Sequence, residues 1–182
     1  MKRDELDHIL RAASRIAQEF DVVVIGSQSI LGTFGEDDLP EAAHASIEAD
    51  VAFWDDPNND KSDRVDAFLG EDSQFHVTFG YYAQGVSVST AVLPAGWQER
   101  VVKYASPGSG GATGHCLEAH DLVISKLVAG RAKDLEFAGA LLHARLVEID
   151  VLTQRASKLE TPAYASRIRD WLAAWAAKHQ QT

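Results

Sequence analysis

Glu48 and Asp50 stand one residue apart in the run SIEADVAFWDD, among apolar neighbours. Successive side chains of a strand point to opposite faces, so residues two apart share one. The two carboxylates therefore project together, while Ala49 and Val51 face the other way. Side by side and partly desolvated, two acids repel each other and resist ionisation. A divalent cation removes both costs. Mg²⁺, or Mn²⁺ in its place, takes hard oxygen ligands, often one or two carboxylates with substrate phosphates filling the shell. The pair thus points to metal-assisted phosphoryl or nucleotidyl transfer. The alternative is a strand edge carrying two solvated acids.

Two other segments carry complementary chemistry. In VVVIGSQSILGTF an apolar strand ends at Gly26-Ser27 and a helix is expected to follow, with Ser27 as its cap. Backbone N–H groups at such a turn can hold a phosphate. In HDLVISKLVAGRAKDLEF, the charged residues Asp121, Lys126, Arg131, Lys133 and Asp134 interleave with apolar ones. Lys126 can approach a triphosphate as a point charge, and Arg131 can fork onto phosphate oxygens. The competing reading of this segment is a solvated helix face with weak local ion pairs.

Placing these groups requires a mixed scaffold. The spacing of Leu6, Ile9, Leu10, Ala13, Ile16 and Ala17 predicts a helix over residues 3 to 19. VVVIG reads as a strand covered on both faces, Pro40 as the opening of a helical turn, and SIEADVAF as a second strand. DDPNND is a turn, and residues 61 to 70 a short helix. FHVTFGYYAQGVSVSTAVLP reads as two adjacent strands ending at Pro94, ERVVKYAS as another, and SPGSGGATG as a flexible loop. Beyond HCLE the period becomes 3.6, predicting helices over residues 118 to 130, 132 to 145, 147 to 157 and 163 to 179. The class is α+β: a short mixed sheet with flanking helices over residues 1 to 116, and a C-terminal helical bundle over 117 to 182, packed as one compact unit.

Bulk composition narrows the partners. The chain has 182 residues and a net charge of -10, which argues against broad DNA or RNA binding. The basic residues concentrate at Lys126, Arg131, Lys133 and Arg145, favouring a small-molecule or protein acceptor over a long nucleic acid. The lone Cys116 reads as a buried apolar residue, and the histidines show no metal-ligand spacing. No apolar run is long enough to span a bilayer. The charged N-terminus reads as helix rather than signal peptide, so a cytoplasmic protein is expected. Trp54 reads as core packing, Trp97 as a loop anchor, and Trp171 with Trp175 as the core stripe of the last helix.

Taken in order, VVVIGSQSI, SIEADVAF and HDLVISKLVAGRAKDLEF resemble the minimal nucleotidyltransferase superfamily, and within it the AbiEii-like branch and related uncharacterised bacterial proteins. The resemblance implies a nucleotidyltransferase core whose members move a nucleoside monophosphate from an NTP to RNA, protein or a small molecule, using Mg²⁺. It implies that Gly26 and Ser27 contact phosphates, Glu48 and Asp50 bind metal, and Lys126 touches the triphosphate. It places Asp134 near the cleft, as a possible aid to acceptor deprotonation. Active members carry a third carboxylate on a later strand. The corresponding stretch GVSVSTAVLP holds Ser87, Ser89 and Thr90 but no acid. Two readings follow: an active transferase that borrows Asp134, Asp121 or a substrate phosphate, or a catalytically inactive nucleotide-binding or regulatory protein with a protein partner, as in toxin–antitoxin or phage-defence systems.

Overall fold

The computed structural model describes residues 1–179. Helix α1 (Arg3–Ala17) buries Leu6, Ile9, Leu10, Ala13 and Ala17 and ends at Gln18, which takes the left-handed conformation. Strand β1 (Asp21–Val24) follows and forms the middle of a five-stranded sheet. Its Val22, Val23 and Val24 are fully buried, as the unbroken β-branched run requires of a strand covered on both faces. Helix α2 (Glu41–His44) starts directly after Pro40, as expected. Strand β2 (Glu48–Ala52) runs antiparallel to β1, with Val24 opposite Val51.

Helices α3 (Asp60–Leu69) and α4 (Gln74–Phe79) lead into strand β3 (Tyr82–Gly85), which is parallel to β2 and places Gln84 opposite Asp50. Strand β4 (Val102–Tyr104) is an edge strand antiparallel to β5 (Thr113–Cys116), and β5 lies parallel to β1. The spatial order is β3-β2-β1-β5-β4. Helices α5 (Ala119–Ala129), α6 (Ala132–His143), α7 (Ile149–Ala156) and α8 (Pro162–His179) complete the chain as described. Helix α5 packs on α6, α7, α8 and the 3-10 turn of residues Ser27–Gly32, so the helical region sits against the glycine turn. The mixed sheet with flanking helices is the α+β architecture expected.

Three local expectations are corrected. FHVTF is helical, not a strand: the Ser73 hydroxyl accepts the His76 N–H at 3.1 Å and Gly80 closes the helix at φ 79. Two caps override the strand propensity of the aromatic and β-branched residues between them. The stretch after β3 is a 3-10 turn, Val88–Thr90, not a second strand. Conversely, Thr113 and Gly114, at the end of the expected loop SPGSGGATG, open strand β5 (Thr113–Cys116), which forms because β1 and β4 pair it on both edges. Cys116 is buried there, and burial pushes its thiol up to about 12, leaving it inert.

Candidate functional site

The antiparallel pairing of β1 and β2 brings the Gly26 turn against Asp50. The Ile25 N–H donates to the Asp50 carbonyl at 3.0 Å. A methyl group on Gly26 would lie 1.6 Å from Asp50 Oδ2, so the carboxylate rests where only a residue without a side chain leaves room. Glu48 and Asp50 both line a cavity of about 550 Å³, together with Ser27, Lys126, Arg131 and Asp134. Two carboxylates, one end of the glycine turn and the basic residues of α5 and α6 thus meet in one space. Gly26 lines an adjoining cavity of about 290 Å³ that also touches Asp50, Lys126 and Arg131. Ser27 is not a helix cap: it is the first residue of the 3-10 turn, and Gly26 holds the cap position.

The electrostatics match this placement. Burial, then the charge of Glu48, raises the Asp50 carboxyl to about 6 against the opposing cations Lys126, Arg131 and Lys133. Burial also lowers the Lys126 ammonium, opposed by Asp134 and Asp50. An acid that resists charging beside a second acid is where a hard cation gains most. Glu48 and Asp50 are the residues that would hold such an ion, with Gln84 lining the same cavity. Among the described residues no group of three or more His, Cys, Asp or Glu side chains could hold a metal. Substrate phosphates would have to complete the shell.

The position beside Asp50 in the sheet is Gln84, not the Ser87–Thr90 stretch. Paired residues of parallel strands share a face, so an amide stands next to the acid pair. Thr90 lines the 290 Å³ cavity, whereas Ser87 and Ser89 line a third, larger one.

Asp134 is engaged by two cations. It is 1% exposed and accepts from Arg131 Nε at 2.6 Å and Arg131 Nη2 at 3.2 Å, with Lys126 Nζ 3.6 Å away. Burial pushes its carboxyl up, but the Arg131 hydrogen bond and the Lys126 charge outweigh it, and its pKa is held below the ordinary value. A carboxylate so engaged is a poor proton acceptor; it positions the two cations facing the cavity. Asp134→Asn should therefore lower stability by about 2–3 kcal/mol in thermal unfolding, by leaving Lys126 without its buried partner. A base would instead lose turnover with stability intact.

Asp121 is likewise committed, bound by Arg100 at 2.7 and 3.0 Å with Arg155 at 3.7 Å, and it lines none of these cavities. It cannot supply the missing acid. Lys133 lines the 550 Å³ cavity, while Arg145 lies beside Val147 and Trp175 at another.

Trp54 is not core. It is 42% exposed and stacks on the buried Trp97 with centroids 5.5 Å apart and an interplanar angle of 24°. The two line a cavity of about 860 Å³, larger than the acid-pair space. Trp54 lies two residues past the end of β2, where the chain enters the turn DDPNND and the sheet no longer covers the ring.

A family model described as "Nucleotidyltransferase of unknown function (DUF6036)" matches residues 4–181. No curated protein and no solved structure gives a match. Among the described residues no helix is long and apolar enough to cross a membrane.

Proposed function

Because the chain belongs to this nucleotidyltransferase family, we propose that it moves a nucleoside monophosphate from an NTP to an acceptor hydroxyl in the cytoplasm, with Mg²⁺ or Mn²⁺ held by Glu48 and Asp50. The observation that carries the reading is the shared cavity: an acid pair resting on a glycine turn, faced by Lys126 and Arg131. Ser27, Lys126 and Arg131 bind the triphosphate, and Asp134 holds both cations in place. The bound cation supplies charge neutralisation at the phosphates. The acceptor oxygen bonds to the α-phosphorus, the bond to the bridging oxygen breaks, pyrophosphate leaves with the electron pair, and the acceptor proton passes to solvent. Fixed cations in a partly closed cavity stabilise the developing charge without reorganising.

Incubation with each labelled NTP, Mg²⁺ or Mn²⁺, and cell lysate tests this. Transfer by the wild type that disappears in Asp50→Ala supports it; transfer undiminished in that variant contradicts it.

A second reading has its own observation. Gln84 provides an amide where a third carboxylate would complete a two-metal site. On that reading the protein binds nucleotide without transferring it, as a regulatory member resembling the AbiEii-like branch, in a toxin–antitoxin or phage-defence setting with a protein partner. Gln84→Asp separates the two. It should tighten Mg²⁺-dependent nucleotide binding about tenfold by adding an anionic ligand. If the native chain is inactive, the same change should confer transfer that the wild type lacks; if it is active, transfer should be present in both.

A further inference from the structure

We propose that the 860 Å³ cleft walled by Trp54 and Trp97 is the acceptor site and that it takes a small hydroxyl-bearing organic cation, a refinement that rests on the transfer reading above. The argument begins with continuity. The 290 Å³ cavity is lined by Asp50 and also by Val86, Ala91 and Val92, which line the larger cleft as well. The 290 Å³ cavity therefore adjoins both Asp50 and the tryptophan cleft.

The charge around these cavities is segregated. Lys126, Arg131 and Lys133 gather at the acid-pair cavity. The side chains lining the larger cleft include Asp55, Asp56 and Glu160 and no Lys or Arg. Asp56 is occupied, accepting from the Ser62 hydroxyl at 2.7 Å and from the backbone N–H groups of Ser62 at 2.9 Å and Lys61 at 3.0 Å. Asp55 and Glu160 are exposed, and among the described residues neither takes part in an ion pair.

The Trp54 indole stacks on Trp97, meets His115 edge-on at 5.7 Å and stays 42% exposed. The Asp55 carbonyl accepts from Lys61 Nζ at 2.9 Å, while the carboxylates of Asp55 and Glu160 stay outside any ion pair among the described residues. With these carboxylates, the open part of the ring is complementary to an organic cation. The same carboxylates repel a phosphate backbone, so RNA is disfavoured in this cleft. The acidic end and the basic end thus sort the two substrates: triphosphate at Lys126 and Arg131, cation at Trp54. The acceptor's hydroxyl would point along the adjoining cavity towards the α-phosphorus. Tyr164 at the start of α8 lines the cleft, so the C-terminal helices form part of the acceptor wall.

The test uses the full chain, choline as the cationic alcohol, and 3,3-dimethylbutan-1-ol as its neutral isostere. Binding of each is measured by calorimetry and tryptophan fluorescence, without nucleotide. Choline should bind saturably and about tenfold or more tighter than the isostere. Trp54→Ala should abolish that binding, and Asp55→Asn with Glu160→Gln, both on exposed residues, should weaken it about tenfold. Mg²⁺-dependent nucleotide binding should be unchanged in both variants. Equal binding of the neutral alcohol, or no saturable binding of choline, overturns the proposal. So does loss of nucleotide rather than choline binding in Trp54→Ala, which would put the nucleobase on Trp54. Failure of the wild type to bind any nucleotide would instead count against the transfer reading, and the two results are read separately.

Discussion

Asp50→Asn should make the ligand-free protein more stable while removing its nucleotide chemistry. Burial and Glu48 raise the Asp50 carboxyl from its ordinary 3.8 to about 6, so the folded state resists the charge that the unfolded chain accepts freely. The penalty is absent below the unfolded value, grows as pH rises towards 6, and is complete above it. Each unit is worth about 1.4 kcal/mol. Allowing for partial exposure to solvent, the neutral amide should add about 2 kcal/mol at pH 7, or about 6 °C in Tm. At pH 4 the two proteins should melt almost together. Transfer should fall about a thousandfold or more, since the amide cannot supply the anionic oxygen. Melting curves at both pH values, beside the transfer assay, check this. Equal stability at pH 7 would mean that Asp50 is not held in a charge-resisting site.

Gly26→Ala should have the next largest effect. The added methyl would meet Asp50 Oδ2 at 1.6 Å and Asp50 Cγ at 2.6 Å, so either the carboxylate turns away or the glycine turn shifts. Displacement of a site group by about 1 Å commonly costs a hundredfold in rate. Transfer should slow by about that factor and metal-coupled nucleotide binding should weaken, with a stability loss of about 1–3 kcal/mol from overpacking. Removing the obstructing carboxylate in Gly26→Ala with Asp50→Ala should recover most of that stability and none of the binding. This non-additivity, read from a double-mutant cycle, identifies the contact itself as the cause. Additive losses would show that Gly26 matters for another reason.

The elements that hold the acid pair were legible because their signals are local. The β-branched run VVVIG fits a strand covered on both faces, and the two-residue spacing of Glu48 and Asp50 gives them a common face on theirs. The C-terminal helices were equally readable from their 3.6-residue period. What escaped depends on partners distant in sequence. The strand at Thr113–Cys116 exists because β1 and β4 hydrogen-bond to it, and its glycine-rich approach gives no strand pattern. The helix at Gln74–Phe79 rests on its caps, against the preference of Phe75, Val77 and Thr78. Asp134 was visible as a charge but not as a partner of both Arg131 and Lys126, because burial decides between a base and an anchor. Gln84 carried no chemical signal at all until the parallel register set it opposite Asp50. Trp54 looked like core for the same reason: a sequence shows a ring's size, while its exposure is settled by what packs beside it.

The central claim is that Glu48 and Asp50 hold a hard cation against the phosphates of a nucleotide. Calorimetric titration of the four common NTPs in Mg²⁺ and again in EDTA, on wild type and on Asp50→Asn, tests it most directly. The account predicts that at least one NTP binds the wild type about tenfold or more tighter with Mg²⁺ present, and that this gain disappears in Asp50→Asn. Absence of binding by any NTP, or binding that is indifferent both to Mg²⁺ and to the loss of Asp50, would contradict it.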